Sequence, residues 1–93
     1  MRKYGKTDNK QPDIVSALRE IGASVQLLAS VGGGCPDLLV GWHGRNILIE
    51  VKDSPKAEFT AAQIIWWNDW RGQKARAENI EQAIAELNKA VRR

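Results

Sequence analysis

Gly34-Cys35-Pro36-Asp37-Leu38-Leu39-Val40-Gly41 and Asn46-Ile47-Leu48-Ile49-Glu50-Val51-Lys52 are two apolar runs separated only by Trp42-His43-Gly44-Arg45. Branched and aliphatic residues fill both runs, and turn formers lie between them, so they read as two strands. A connection this short joins antiparallel neighbours. Side chains alternate faces along a strand, so Leu48, Glu50 and Lys52 share one face, with Glu50 and Lys52 about 7 Å apart. Pairing Gly41 with Asn46 and counting outward sets Asp37 opposite Glu50. Directly opposed residues project to the same face with Cβ atoms about 4.5–5.5 Å apart. A slip of one residue would send them to opposite faces, so the register decides whether the two carboxylates meet.

Outward from this hairpin the chain has clear punctuation. Residues 1–10 hold Arg2, Lys3, Lys6 and Lys10 without periodicity and read as a flexible basic arm, with residues 11–93 as a single domain. Pro12 suits the first turn of a helix whose stripe is Ile14, Leu18 and Ile21 and whose end is Gly22. Residues 23–30, with Val25, Leu27 and Leu28, read as a strand that breaks at Gly32-Gly33-Gly34. Thr60 and Gln63 fit a capping box, with Phe59 and Ile64 as a hydrophobic staple. The helix they begin carries Trp66, Trp67 and Trp70 and is read to stop at Gly72. Residues 74–78 alternate charge with Ala75 and Ala77 and read as a weak edge strand that buries little. Asn79 and Gln82 then cap a last helix with the stripe Ile80, Ile84, Leu87 and Val91. The predicted order is αβββαβα, an α/β fold.

The chain has 93 residues, one domain's worth, and a formal net charge of +3. No apolar run approaches the ~18–20 residues of a membrane span, no signal peptide is evident, and the single cysteine, Cys35, fits a reducing cytosol. The basic residues cluster: Lys10 at the start, then Arg71, Lys74 and Arg76 after the tryptophans. Clustered positive charge favours a phosphate backbone.

Asp37 and Glu50 supply hard oxygen ligands of the kind Mg²⁺ prefers, which leaves its other positions to water and substrate phosphate. Such a metal lowers the pKa of bound water and neutralises charge on a phosphoryl group. A lysine beside it, Lys52, can orient that water and stabilise the transition state. The plainer alternatives are a solvated Glu-X-Lys on an exposed strand and an Asp acting as a turn residue after Pro36.

Pro36-Asp37 followed by Glu50-Val51-Lys52 resembles the PD-(D/E)XK nuclease motif. Ile14-Val15-Ser16-Ala17-Leu18-Arg19, the glycines before Pro36-Asp37, and Phe59-Thr60-Ala61-Ala62-Gln63 narrow the resemblance to stand-alone VRR-NUC domains of phages and bacteria, over residues 8–90. The resemblance implies a restriction-endonuclease-like fold with a central mixed sheet flanked by helices, and Mg²⁺- or Mn²⁺-dependent cleavage of DNA. It implies that Asp37 and Glu50 bind the metal, that the Val51 carbonyl completes the site, and that Lys52 assists the attacking water. It also implies a homodimer acting on branched DNA in the manner of a Holliday-junction resolvase, in the cytoplasm of a bacterial or phage-infected cell. Flaps, nicked duplex, or a non-catalytic DNA-binding module are the alternatives.

The resemblance places Gln63 near the active site, a role compatible with its capping function. It also picks out Gln11, which helical spacing turns inward with Val15 and Leu18. Spacing turns Asp13 toward Ala17 and Glu20, a solvated face, so the first helix offers no extra carboxylate ligand. Gly33 belongs to a run that would let backbone approach a phosphate, although no Gly-Lys-Ser/Thr follows as in a P-loop. The tryptophans cannot all face one way on a helix, which suggests a contact between two copies.

Overall fold

The computed structural model describes residues 10–92, so the arm read over residues 1–10 lies, but for Lys10, outside the described residues. Its elements are α1 (Gln11–Glu20), β1 (Ser24–Leu27), β2 (Leu38–Trp42), β3 (Arg45–Val51), α2 (Ala61–Asp69), β4 (Lys74–Ala77) and α3 (Ile80–Val91). They form an α/β domain in the order αβββαβα around one four-stranded mixed sheet, β1-β2-β3-β4. β1, β2 and β3 run antiparallel, and β4 joins β3 in parallel through α2.

The β2–β3 turn has two central residues, His43 at φ 48° and Gly44 at φ 80°. Two positive φ angles in succession match the tight hairpin turn whose twist suits the flanking strands. Trp42 therefore pairs with Arg45, Gly41 with Asn46, and Leu38 with Ile49. The register read from the sequence holds.

One face of the sheet is the core. Leu38, Val40, Ile47, Ile49, Ala75 and Ala77 lie buried on it, beneath Ile14, Val15 and Leu18 of α1 and Ala83, Leu87 and Ala90 of α3. α1 ends in a Schellman motif: Ala23 N–H donates to Leu18 O (3.0 Å) and Gly22 N–H to Arg19 O (3.0 Å), with Gly22 at φ 101°. The turn drops Ala23 into the core beside Leu18 and aims the chain into β1.

The elements differ from the sequence reading in detail, and Ile21, read as part of the α1 stripe, lies past the helix and is exposed. β1 is shorter than residues 23–30, because the chain turns at Leu28–Val31 (Val31 N–H to Leu28 O, 3.0 Å). α2 ends at Asp69, with Trp70 already extended, rather than reaching Gly72. β4 forms fully, and Ala75 and Ala77 are core residues. Small side chains here let α3 sit close against the sheet. α3 in turn presents Ala83, Leu87 and Ala90, which leaves Ile80 exposed and Ile84 and Val91 at the margin. Its N-cap is as expected, with Asn79 accepting from Gln82 N–H (2.8 Å), but the Gln82 side chain reaches back to Glu78 N–H (2.8 Å).

α2 lies on the other face and buries none of its residues. Trp66 stacks on Trp70 (centroids 5.0 Å apart), and Phe59 turns its ring to Trp67 (5.0 Å). Cations from the sheet meet this cluster. Lys74 Nζ lies 5.6 Å from the Trp67 ring and donates to Trp70 O (2.8 Å). Lys52 and Arg76 lie 5.3 and 5.7 Å from the Phe59 ring. Each such contact contributes about 0.5–2 kcal/mol. Among the described residues, no helix is long and apolar enough to cross a membrane.

Leu87 is fully buried between helix and sheet. Leu87→Ala should cost about 2–5 kcal/mol, read as a lower urea midpoint with an unchanged slope. The same change at Ile65, which is 65 % exposed, should leave the midpoint almost in place.

Candidate metal centre

Leu38 pairs with Ile49, so the next step outward sets Asp37 opposite Glu50, at the end of the sheet and on the face that carries α2. Asp37 is fixed twice. Its carbonyl accepts from Leu28 N–H (2.8 Å), and its Oδ2 accepts from Val51 N–H (2.9 Å). A strand residue points its N–H and C=O to the same side. The Val51 carbonyl therefore faces the Asp37 side, while its side chain packs on the core.

Glu50 is the one buried charged side chain among the described residues, at 4 % exposure. Gln63 Nε2 donates to Glu50 Oε2 (2.9 Å), and Lys52 Nζ stands 3.5 Å from the same oxygen. Gln63 Oε1 accepts from both Lys52 Nζ (2.9 Å) and Thr60 N–H (2.9 Å). Thr60 Oγ1 returns the capping bond from Gln63 N–H (3.2 Å). One amide thus closes the capping box and holds the acid and the lysine together. The two readings of Gln63 are one geometry.

Burial pushes the Asp37 carboxyl above its usual range, against the opposing pull of the Val51 N–H and the Lys52 charge. Burial likewise raises Glu50, the Asp37 charge raises it further, and Lys52 and Gln63 pull it down. The Cys35 thiol is pushed up by burial first, then by the Glu50 and Asp37 charges, which places it beside the pair. Two facing carboxylates, both strained toward the neutral form, are a place where a cation lowers the free energy. Two carboxylates and a carbonyl form a hard-oxygen donor set. Mg²⁺ binds by one or two carboxylates and leaves the rest to water and phosphate, so these residues fit it. Among the described residues no group of three or more His, Cys, Asp or Glu is gathered that could hold an ion.

The glycine loop supports this end of the sheet. Gly32, Gly33 and Gly34 have φ of 78°, 66° and 84°. A Cβ on Gly34 would fall inside contact distance of the Ala62 backbone, whereas one on Gly33 would meet nothing within 4 Å. The loop packs backbone to backbone on the first turn of α2, the turn that carries Gln63.

The residues read as nucleic-acid contacts are dispersed. Gly33 is exposed on the loop. Lys10, at the start of α1, shares a groove with Asn79 and Glu81. Gln11 is half-buried in a groove with Val15 and Leu27. Arg71 and Lys74 line a cavity of about 500 Å³ with Ile47 and Lys89, toward the opposite end of β3. Arg76 is not presented freely: Nη2 donates to Ser54 O (2.9 Å), and Nε pairs with Glu78 (3.2 Å). No residue pattern announces that latch, since Ser54 takes part through its carbonyl and not its side chain.

No family model, no curated protein and no solved structure matches the chain.

The glycine loop and the carboxylate pair can each be tested by substitution. Gly34→Ala must displace the start of α2, so it should lower the Tm more than Gly33→Ala, although both carry the roughly 1–2 kcal/mol penalty of left-handed backbone. A carboxyl whose folded pKa is raised contributes stability below its unfolded pKa, about 4, and loses it as pH rises through the folded value. In metal-free protein, Asp37→Asn and Glu50→Gln should therefore raise the Tm relative to wild type at pH 8, and the gain should vanish near pH 4. Mn²⁺ should raise the Tm of wild type and leave both variants unmoved.

Proposed function

We propose that this chain is a metal-dependent endonuclease that hydrolyses DNA phosphodiester bonds, with the restriction-endonuclease-like core of a VRR-NUC domain. The observation that carries the reading is the convergence of Asp37, Glu50 and Lys52 at one sheet end, with Gln63 tying Glu50 to Lys52. Asp37, Glu50 and the Val51 carbonyl would hold Mg²⁺ or Mn²⁺, which when bound polarises water and neutralises charge on the phosphate.

The chain's own groups do the rest. Lys52 Nζ has three donors. One is committed to Gln63 and one leans on Glu50, so the third is available to a water or a phosphate oxygen. Gln63 holds that ammonium in place without neutralising it. Placing a fixed donor where charge develops is the most effective use of such a group. Hydrolysis forms a P–O bond to the water oxygen and breaks the P–O bond to the leaving sugar oxygen; the attacking water gives a proton to solvent, and the leaving oxygen takes one from solvent.

Branched DNA cut by a homodimer is the favoured substrate and assembly. Ile65 is 65 % exposed, the highest of the large apolar side chains among the described residues, and Trp70 is 41 % exposed. A second copy covering the outer surface of α2 at Ile65 would bury that side chain and relate two sites by a two-fold axis.

The test is cleavage of a labelled four-way junction beside duplex, flap and nicked DNA, in Mg²⁺, Mn²⁺ and EDTA. Metal-dependent paired cuts at the junction are expected. Lys52→Ala and Asp37→Ala should each reduce them by at least about a hundredfold, the scale of a lost transition-state donor. Flap or nicked-duplex cleavage without junction cleavage would keep the chemistry and replace the substrate. Binding without cleavage in either metal would reduce the chain to a DNA-binding module.

A further inference from the structure

A groove of about 700 Å³ opens directly beside the candidate centre, between residues 55–59 and the first turns of α2. Phe59 and Ile64 line it, with Pro55, Lys56, Glu58 and Arg76. Its position is set by the site itself. Phe59 lies 5.3 Å from Lys52 Nζ, and Ile64 follows Gln63, which bonds both Glu50 and Lys52. We propose that this groove receives the base of the nucleotide adjoining the scissile phosphate, taken out of its stack. The proposal rests on the nuclease reading above and specifies which feature of the substrate that site selects.

The groove suits a base in three ways. Its apolar wall is exposed rather than filled: Ile64 is 49 % exposed. Its guanidinium is fixed, since Arg76 Nη2 donates to Ser54 O (2.9 Å) and Nε pairs with Glu78 (3.2 Å). A held guanidinium plane beside an aromatic ring is a surface on which splayed bases stack. Lys56 at the rim supplies charge for the attached phosphate, and Lys52 is already positioned at the reacting one. Extrusion costs least where stacking is already broken, as at a branch or mismatch. Preference for distorted DNA would then come from the groove and require no reading of sequence.

The test uses four-way junctions carrying a single 2-aminopurine on either side of the mapped cut, bound to the full chain in Ca²⁺. Fluorescence at one of the two positions should rise at least twofold on binding. Ile64→Glu alters a half-exposed side chain outside the core and should abolish that rise. It should lower junction cleavage about tenfold, the scale of one lost base-stacking contact, while Mn²⁺ binding is retained. Lys56→Glu should act in the same direction. If wild type cleaves junctions but neither probe position responds, or if Ile64→Glu cleaves like wild type, the groove holds no base. If Ile64→Glu converts a dimer to a monomer and monomerisation alone accounts for its loss, the groove belongs to a subunit contact and the proposal fails. Absence of metal-dependent cleavage by wild type would remove the proposal together with the reading it rests on.

Discussion

The constraint on which the structure depends is the length of one turn. His43 and Gly44 connect two strands through two residues in left-handed backbone, and such a turn permits a single register. From that register come the burial of Leu38, Val40, Ile47 and Ile49 on one face and the meeting of Asp37 and Glu50 on the other. A slip of one residue would put aliphatic side chains in water and drive the carboxylates apart. Core and site are thus specified by the same pairing. The hydrophobic face enforces an arrangement of charge that would be unfavourable by itself.

The two faces are held by different physics. α1 and α3 pack apolar surface against the sheet in the ordinary way. α2 has no fully buried residue; besides its half-buried Trp66 and Trp67, it is attached by polar and charged links: Gln63 to Glu50 and Lys52, Lys74 to Trp70 O, and Lys74 beside the Trp67 ring, while Lys52 and Arg76 lie beside Phe59 just before it. A nine-residue helix is marginal by itself, so these links both hold it and make its first turn part of the candidate centre. Lys52 illustrates the economy, since its ammonium bonds Gln63, leans on Glu50 and lies beside Phe59. The backbone contact of Gly34 with Ala62 fixes the same turn from the other side.

Much of this was legible in the sequence where the signal is local. The hairpin register follows from alternation and turn length, and the Thr60–Gln63 capping box from side-chain chemistry at fixed spacing. What was not legible depends on distant neighbours. Ala75 and Ala77 carry little apolar weight in a pattern, yet they are core because Ala83 and Ala90 of α3 let the helix approach. The stripe Ile80, Ile84, Leu87 and Val91 is the most apolar reading of α3, but contact with α1 and the sheet selects Ala83, Leu87 and Ala90. Arg76 read as a free cation because the carbonyl that holds it belongs to the backbone of Ser54. Within the candidate centre, Asp37, Glu50, Lys52 and Gln63 were all nameable beforehand. The bonds by which Gln63 joins Glu50 to Lys52, and Val51 N–H holds Asp37, required the fold.

The central claim is that Asp37, Glu50 and Val51 surround one cation position, and Mn²⁺ tests it most directly. Titrating Mn²⁺ into isotopically labelled protein broadens the amide signals nearest the bound ion. The account predicts that signals at residues 37, 50 and 51 vanish first, at one ion per chain, and that Asp37→Ala removes the effect. Broadening centred elsewhere, or none at millimolar Mn²⁺, would contradict it.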